Sequence, residues 1–127
     1  MDLTGIRKAV ADNARTVDGL EDCKHWDSDA QASPAFWVEV ENIEAPTMST
    51  PWFVVTLRGR LRVLGTYDRA ISDQADRLVD LLWHGLRVDR TLGGLAQDIE
   101  VMNAGYEQDP ADDSVVVSYE IVVVTTN

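Results

Sequence analysis

The sequence has 127 residues, of which 45% are hydrophobic, and this is enough to bury the core of one ordinary domain. Its formal net charge of -11 at pH 7 argues against a sequence-specific reader of nucleic acid, because such proteins present a basic surface. No apolar run approaches the ~18 residues of a membrane span, and the N-terminus lacks a signal-peptide pattern. We therefore expect a soluble single domain over residues 1–127 that is made in a cytoplasm and does not enter a membrane.

Residues 2–18 are predicted to form an amphipathic helix, and Gly19 stands where helices commonly end. Charged side chains lie mostly off the apolar stripe. The apolar residues recur at three or four positions, as a helix with one buried face requires: Leu3, Ile6, Val10, Ala14 and Val17.

The polar segment 21–33 contains at most a short strand near residues 23–26. A strand is predicted over Ala35–Val40, where aromatic and β-branched residues are concentrated. Residues 42–50 follow as a loop.

The stretch Pro51–Leu64 is predicted to be one long strand with two different faces. Gly59 interrupts the apolar face, and a glycine there indicates a bulge or a close approach of another group. Arg58, Arg60 and Arg62 stand in a row on the opposite face. The apolar face has the period of two that is typical of a half-buried strand: Phe53, Val55, Leu57, Leu61 and Val63.

This strand exceeds the usual length of five or six residues. Part of it is expected to project beyond the sheet as an arm or hairpin, or to bend at Gly59. Unpaired strand edges need a cover, and a symmetric neighbour would supply one. The arginine row is then either a solvated outer face or a surface that meets an acidic partner.

The second predicted helix begins after Asp68, a plausible N-cap, and Gly85 falls in or just past its last turn. Acidic and basic residues are mostly directed away from its apolar face. That face is broad and regular: Ile71, Ala75, Leu78, Val79, Leu82 and Leu86.

The C-terminal third begins with a predicted tight turn at Leu92, Gly93 and Gly94, where the glycines supply positive φ angles. A strand follows over Gln97–Ala104, and Gly105–Asp113 is expected to be an acidic loop. The chain ends with a strand over Ser114–Thr126, and apolar residues on both of its faces indicate an interior strand that is covered on two sides.

The predicted order is therefore α-β-β-α-β-β. Short connections within each strand pair favour an α+β fold with a mainly antiparallel sheet of four or five strands. Both helices are expected to pack on one face of this sheet.

No catalytic or metal-binding constellation emerges, and no cofactor is expected. Cys23 and His25 are too few for a zinc site, and nothing in the pattern orients them as a nucleophile and base. His84 is interpreted as a cap or surface residue near a helix end. The acids at 107–113 lack the glycine and the alternation of a calcium-binding loop. The protein is predicted not to be an enzyme.

Tryptophans are numerous for so small a domain, and three of them lie near predicted element ends. Tryptophan is enriched where protein surfaces meet, although each could instead cover the edge of the core. Trp52, at the start of the long strand, is the candidate for a subunit interface. The four are Trp26, Trp37, Trp52 and Trp83.

With these elements in place, the sequence resembles the tail terminator, or tail completion, proteins of long-tailed, non-contractile bacteriophages. The resemblance runs in order through nearly the whole chain and depends on the spacing of short motifs. They are Thr56-Leu57-Arg58-Gly59, Tyr67-Asp68-Arg69-Ala70, Leu78-Val79-Asp80-Leu81-Leu82, Thr91-Leu92-Gly93-Gly94 and the final valine-rich strand.

The resemblance implies a structural virion protein that forms a hexameric ring at the head-proximal end of the tail tube, after assembly in the bacterial host cytoplasm. Its implied partners are copies of itself, the tail tube protein, the head-tail connector or stopper, and DNA that passes through the lumen without sequence-specific binding. The arginine row would then meet acidic residues of a neighbouring subunit, of which the candidates are Glu107, Asp109, Asp112 and Asp113.

Two alternatives remain open from the sequence. One is another neck component, a stopper or adaptor, with the same size and no catalysis. The other is a small αβ module that binds a ligand, which would need a concave pocket with convergent polar groups.

Overall fold

A computed structural model describes residues 1–27, 32–47, 49, 51–65, 69–109 and 113–126 of the chain. In these ranges two α-helices and five strands follow one another in the order α-β-β-β-α-β-β, with a short 3₁₀ turn at Leu92–Gly94 between the second helix and the fourth strand. The elements are α1 (Leu3–Ala14), β1 (Asp22–Cys23), β2 (Ala35–Glu44), β3 (Trp52–Leu64), α2 (Arg69–Gly85), β4 (Asp98–Asp109) and β5 (Ser114–Thr126).

The five strands form one sheet in the order β1-β2-β3-β5-β4. All neighbours are antiparallel except β1 and β2, which run parallel over two residue pairs. The sheet is therefore mixed, and the predicted α+β fold with a mainly antiparallel sheet is confirmed.

β3 lies at the centre of the sheet and does not extend from it as a free arm. Every residue from Trp52 to Leu64 is paired with β5, and β2 pairs with the other side of β3 from Val54 to Arg62. The prediction of a projecting strand was wrong because β5, at 13 residues, is as long as β3 itself.

Most of the buried apolar residues form one cluster between the helices and one face of the sheet. Alternate residues of β3, including Val55, Leu57, Leu61 and Val63, point into it, as the period of two predicted. Alternate residues of β5 do the same. Transfer of this apolar surface out of water is the main stabilising term of the fold.

β5 is an interior strand, as predicted, but only one of its faces is covered. Tyr119 and Ile121 are buried in the core, whereas Val116, Val122 and Val124 on the opposite face remain half-buried. The described helices pack on one side only. On the other side Ala35 and Trp37 of β2 are buried, whereas the valines of β5 stay half-buried.

α1 ends at Ala14, four residues before the predicted boundary. After this point the backbone N–H groups of Thr16 and Val17 donate to carbonyls three residues back, which tightens the chain into a turn. The Thr16 hydroxyl also donates to the Asn13 carbonyl at 2.7 Å. These short-range bonds satisfy the last carbonyls of the helix and stop its propagation.

α2 agrees closely with the prediction. Ala75, Leu78 and Leu82 are buried, and Gly85 is its last residue. Asp68, the predicted N-cap, lies outside the described residues.

The predicted turn at Leu92–Gly94 is confirmed, with φ angles of 51°, 68° and 94°. Asp89 holds it from the side, since its carboxylate accepts hydrogen bonds from the Gly93 N–H at 2.9 Å and from Thr91. These hydrogen bonds, led by that of Gly93, lower the pKa of the Asp89 carboxyl.

Two strands are longer than predicted. β2 continues to Glu44 instead of ending at Val40, and β4 continues to Asp109 instead of Ala104. Both extensions are paired with the long central strands, so hydrogen bonding to β3 and β5 keeps these polar segments extended.

Candidate assembly surface

The open sheet face is the side of the sheet opposite the helices. Strand alternation places Arg58, Arg60 and Arg62 on it, because the residues between them point into the core. The three arginines form a row along the central strand, as the sequence predicted, and we call them the arginine row.

Arg58 is neutralised within its own subunit. Its guanidinium Nη2 lies 2.7 Å from Glu41 Oε1, where β2 has a bulge between Val40 and Asn42. Arg58 also stands directly opposite Glu39 on β2 and Glu120 on β5. Cross-strand opposite charges of this kind stabilise a sheet modestly.

Arg60 and Arg62 have a different environment. Arg60 stands between Trp37 and Ser118, and the neighbours of Arg62 are likewise uncharged. Within the described part of the chain, neither arginine forms an ion pair. The Arg60 Nε is also buried without a hydrogen-bond partner among these residues. Two cations of this strongly acidic protein therefore form no ion pair with the part of the subunit that the structure describes.

A groove of about 310 Å³ crosses the open sheet face beside the arginine row. It brings together residues from four strands that are distant in sequence, and both signs of charge line it. Its lining residues are Glu41, Arg58, Arg60, Asn103, Gly105, Tyr106, Glu107, Ser118, Tyr119 and Glu120.

The predicted acidic loop is not a single unit. Glu107 and Asp109 lie in β4, and of the loop candidates Glu107 is the one that lines the groove with Arg58 and Arg60. Asp113 is exposed, and its carbonyl accepts a hydrogen bond from the Gly65 N–H at 2.8 Å. Asp112 and the side chain of Asp109 lie outside the described residues.

Trp52 lies on the open sheet face at the end away from Arg62, opposite Thr126. Its side chain is 37% exposed. Val54, Val122 and Val124 separate it from Arg58, so the face carries an apolar end beside its charged centre.

Two sets of charged residues at this surface were missed by the sequence reasoning. Glu39, Glu41 and Glu120 border the arginine row through strand pairing, which the sequence does not display. The one available signal was Glu120, a lone charge among the valines of β5.

The second missed set is an ion-pair cluster at the start of β4. Arg90 binds both carboxylate oxygens of Asp98, at 2.9 and 3.0 Å, and also contacts Glu100. Arg87 approaches the second Glu100 oxygen at 3.4 Å. The hydrogen bonds from Arg90 lower the pKa of the Asp98 carboxyl.

The chemistry that the sequence discounted is not assembled in the described parts of the chain. The Cys23 thiol donates to the Ala11 carbonyl at 3.2 Å, and burial raises its pKa to about 11, so it is a poor nucleophile. His84 lies 3.7 Å from Asp80 on the exposed side of α2. No three acidic, histidine or cysteine side chains converge into a metal site among the described residues. None of the described helices has the length and apolar character of a membrane span.

No protein-family model matches the sequence, and no curated protein matches it. A solved chain from the virion of a native gene transfer agent (GTA) particle is similar in fold, with a TM-score of 0.57 and 8% sequence identity. The alignment covers 95% of this chain and 94% of that chain. At this identity the likeness concerns the fold, and it extends over the whole domain.

Proposed function

We propose that this protein is a structural virion protein, a subunit of a hexameric ring at the head-proximal end of a phage tail tube. In this role it ends polymerisation of the tube and joins it to the head connector or stopper. The observation that carries the proposal is the likeness, over nearly the entire chain, to the fold of a chain within a virion particle. The motifs by which the sequence resembles tail terminators narrow this role to the end of the tail tube.

The geometry suits a protein that acts through its surfaces instead of by catalysis. One face of the sheet is not covered by either described helix, and that face carries the arginine row, the groove and an apolar end. In the described part of the chain, β4 and most of β2 also have an edge without a partner strand. Such surfaces are what a ring subunit presents to its copies, to the tube protein and to the connector.

The charge balance suits the passage of DNA through the ring. Acidic residues outnumber basic ones by 22 to 11, so the assembled protein repels phosphate over most of its surface. DNA can then slide through the lumen without being retained.

The role is tested by deleting the gene from the phage that encodes it and imaging the particles. We expect tail tubes of uncontrolled length that are not joined to heads, and restoration of normal particles by the wild-type gene in trans. A labelled copy should lie between the tube and the connector. A label found within the connector itself would assign the protein to the stopper or adaptor layer instead.

The arginine row supplies a sharper test of the same proposal. Changing Arg58, Arg60 and Arg62 together to Glu is expected to leave the subunit folded, because all three side chains lie outside the core. The variant should fail to rescue tail joining in the deletion strain. Normal rescue by a folded triple variant would show that the row takes no part in assembly.

A further inference from the structure

The two unpaired arginines of the open sheet face indicate that something acidic covers them in the assembled protein. Arg60 and Arg62 have no ion pair with any described residue, and the Arg60 Nε is buried without a hydrogen bond. A buried donor without a partner is costly, and a carboxylate that binds the part of the Arg60 side chain still exposed would offset that cost. DNA phosphate is a poorer candidate, because a duplex brings a continuous line of phosphates past the bordering acids Glu39, Glu41 and Glu120. Two carboxylates at fixed positions on a folded surface can instead meet Arg60 and Arg62 alone.

A matching acidic surface lies on the outer side of α2. Asp76 and Asp80 are exposed and flank a shallow groove of about 420 Å³ whose floor is formed by Val79 and Trp83. The Asp80 side chain is 80% exposed, and its Oδ1 lies 3.7 Å from His84 Nε2. The Asp76 carboxylate accepts one hydrogen bond, from the Tyr106 hydroxyl at 2.8 Å, which leaves it acceptor capacity.

The two surfaces agree in spacing as well as in charge. Arg60 and Arg62 are two residues apart on a strand, which separates them by about 6.6 Å along its axis. Asp76 and Asp80 are four residues apart on a helix, with Cβ atoms about 5–6 Å apart. Two carboxylates can therefore face two guanidinium groups at the same time. Trp83 in the floor of the groove would meet apolar residues of the sheet such as Val116, the cross-strand partner of Arg62.

We propose that the outer side of α2 in one subunit docks onto Arg60 and Arg62 of a second copy of the chain. The helices cover one face of the sheet and the arginines lie on the other, so the two patches face in opposite directions on one subunit. The contact is therefore heterologous, and every subunit offers one patch to each of two neighbours. This inference rests on the proposed ring and names the contact that would build it.

Reciprocal charge reversal tests the contact. Variant one carries Arg60→Glu and Arg62→Glu, and variant two carries Asp76→Arg and Asp80→Arg. Each should remain folded by circular dichroism. Each should weaken self-association at least about 100-fold in analytical ultracentrifugation, because like charges then meet across the contact. The fourfold variant with all four changes restores opposite charges, and so does an equimolar mixture of the two double variants.

Two control variants separate the contact from general effects. Asp12→Arg with Asp18→Arg makes the same change in net charge as variant two at exposed positions on or just after α1, and it should assemble like the wild type. Tyr106→Phe removes the hydrogen bond to Asp76 without a change of charge, and it should also assemble normally.

Rescue of assembly by the mixture and by the fourfold variant, with both controls assembling, supports the docking contact. Assembly of both double variants like the wild type overturns it and leaves the proposed virion role standing, with another interface. A wild-type protein that stays at the mass of one 14.1 kDa subunit at every concentration also overturns it. Conversely, confirmation of the contact in a protein located elsewhere in the virion would overturn the proposed role alone.

Discussion

Gly59 is the residue at which the packing of the core leaves no room for a side chain. A Cβ atom at this position would lie 2.7 Å from Cζ of Phe36 and 3.1 Å from Cδ1 of Ile121. The strand register runs through Gly59 without a shift, so the glycine does not mark a bulge in β3. The absence of a side chain leaves room for the Phe36 ring beside the central strand.

We therefore expect Gly59→Ala to destabilise the protein by about 1–3 kcal/mol through overpacking, as measured by urea unfolding. Gly105→Ala in β4 is the matched control, because a Cβ there meets nothing within 4 Å, and stability should be unchanged or raised by up to about 1 kcal/mol. Adding Phe36→Leu to the Gly59→Ala variant should recover part of the loss. Equal effects of the two glycine changes would argue against a steric role for Gly59.

The Cys23 thiol makes the free energy of unfolding depend on pH in the alkaline range. Burial raises the pKa of its thiol from the ordinary value of 9.0 to about 11. The folded state therefore holds the proton more tightly than the unfolded state, and the resulting stability is complete below pH 9 and is lost as pH rises toward 11. In urea unfolding followed against pH, the wild type should lose stability relative to Cys23→Ser across this window. A constant difference between the two proteins would contradict the raised pKa.

The turn between α2 and β4 depends on residues that tolerate a left-handed backbone. Gly93 has φ 68° and ψ 22°, and its N–H donates to Asp89, while a Cβ there would meet no atom within 4 Å. The cost of a side chain at this position is consequently one of backbone conformation alone. Gly93→Ala should lower the free energy of unfolding by about 1–2 kcal/mol.

Gly93→Asn is the informative comparison, since asparagine visits the left-handed region more readily than other residues. We expect it to cost less than Gly93→Ala in the same urea titration. A larger cost for asparagine would show that side-chain contacts, and not the φ angle, restrict this position.

The elements differ in how far their own residues predicted them. β3, β5 and α2 have strong apolar periodicity because one face of each is buried, and their bounds were predicted to within one or two residues. The last five residues of β4, Gly105–Asp109, are mostly polar, and Gly105, Tyr106 and Glu107 are exposed. The segment is extended because β5 pairs with it. That information resides in β5, so the segment itself was interpreted as a loop.

The same limit applies to the candidate site. The arginine row was predictable because alternation along one strand is a local property. The acidic border of the row was not predictable from the sequence. Glu41 contacts Arg58 because β2 has a bulge, and Glu120 lies opposite Arg58 because of the register between β5 and β3. Strand register depends on long-range pairing, and the charges of two strands cannot be aligned from either strand alone.

At the scale of the whole molecule, the two faces of the sheet differ in what they contact. The helix side holds the main core, whereas neither described helix covers the open sheet face. This face is nevertheless far from uniform, since acids on β2, β4 and β5 surround a basic centre on β3. A surface of this kind gives specificity for a partner of matching pattern while it discourages a uniformly charged polymer.

A DNA-binding assay tests whether the surrounding acids outweigh the positive charge of the arginine row. Because the net charge is -11, the wild-type subunit should not retain double-stranded DNA at about 0.15 M salt in a filter-binding assay.

Changing the three groove glutamates, Glu41, Glu107 and Glu120, to Gln removes the local repulsion beside Arg58 and Arg60. This variant should bind DNA weakly, and the logarithm of its affinity should fall against the logarithm of salt concentration with a slope of about -2 to -3, since two or three arginines contact phosphate. Adding Arg60→Glu should abolish that binding. Tight binding of DNA by the wild type would contradict a ring through which DNA slides. DNA binding by the Gln variant alone would show that the acidic border prevents the arginine row from binding the phosphate backbone.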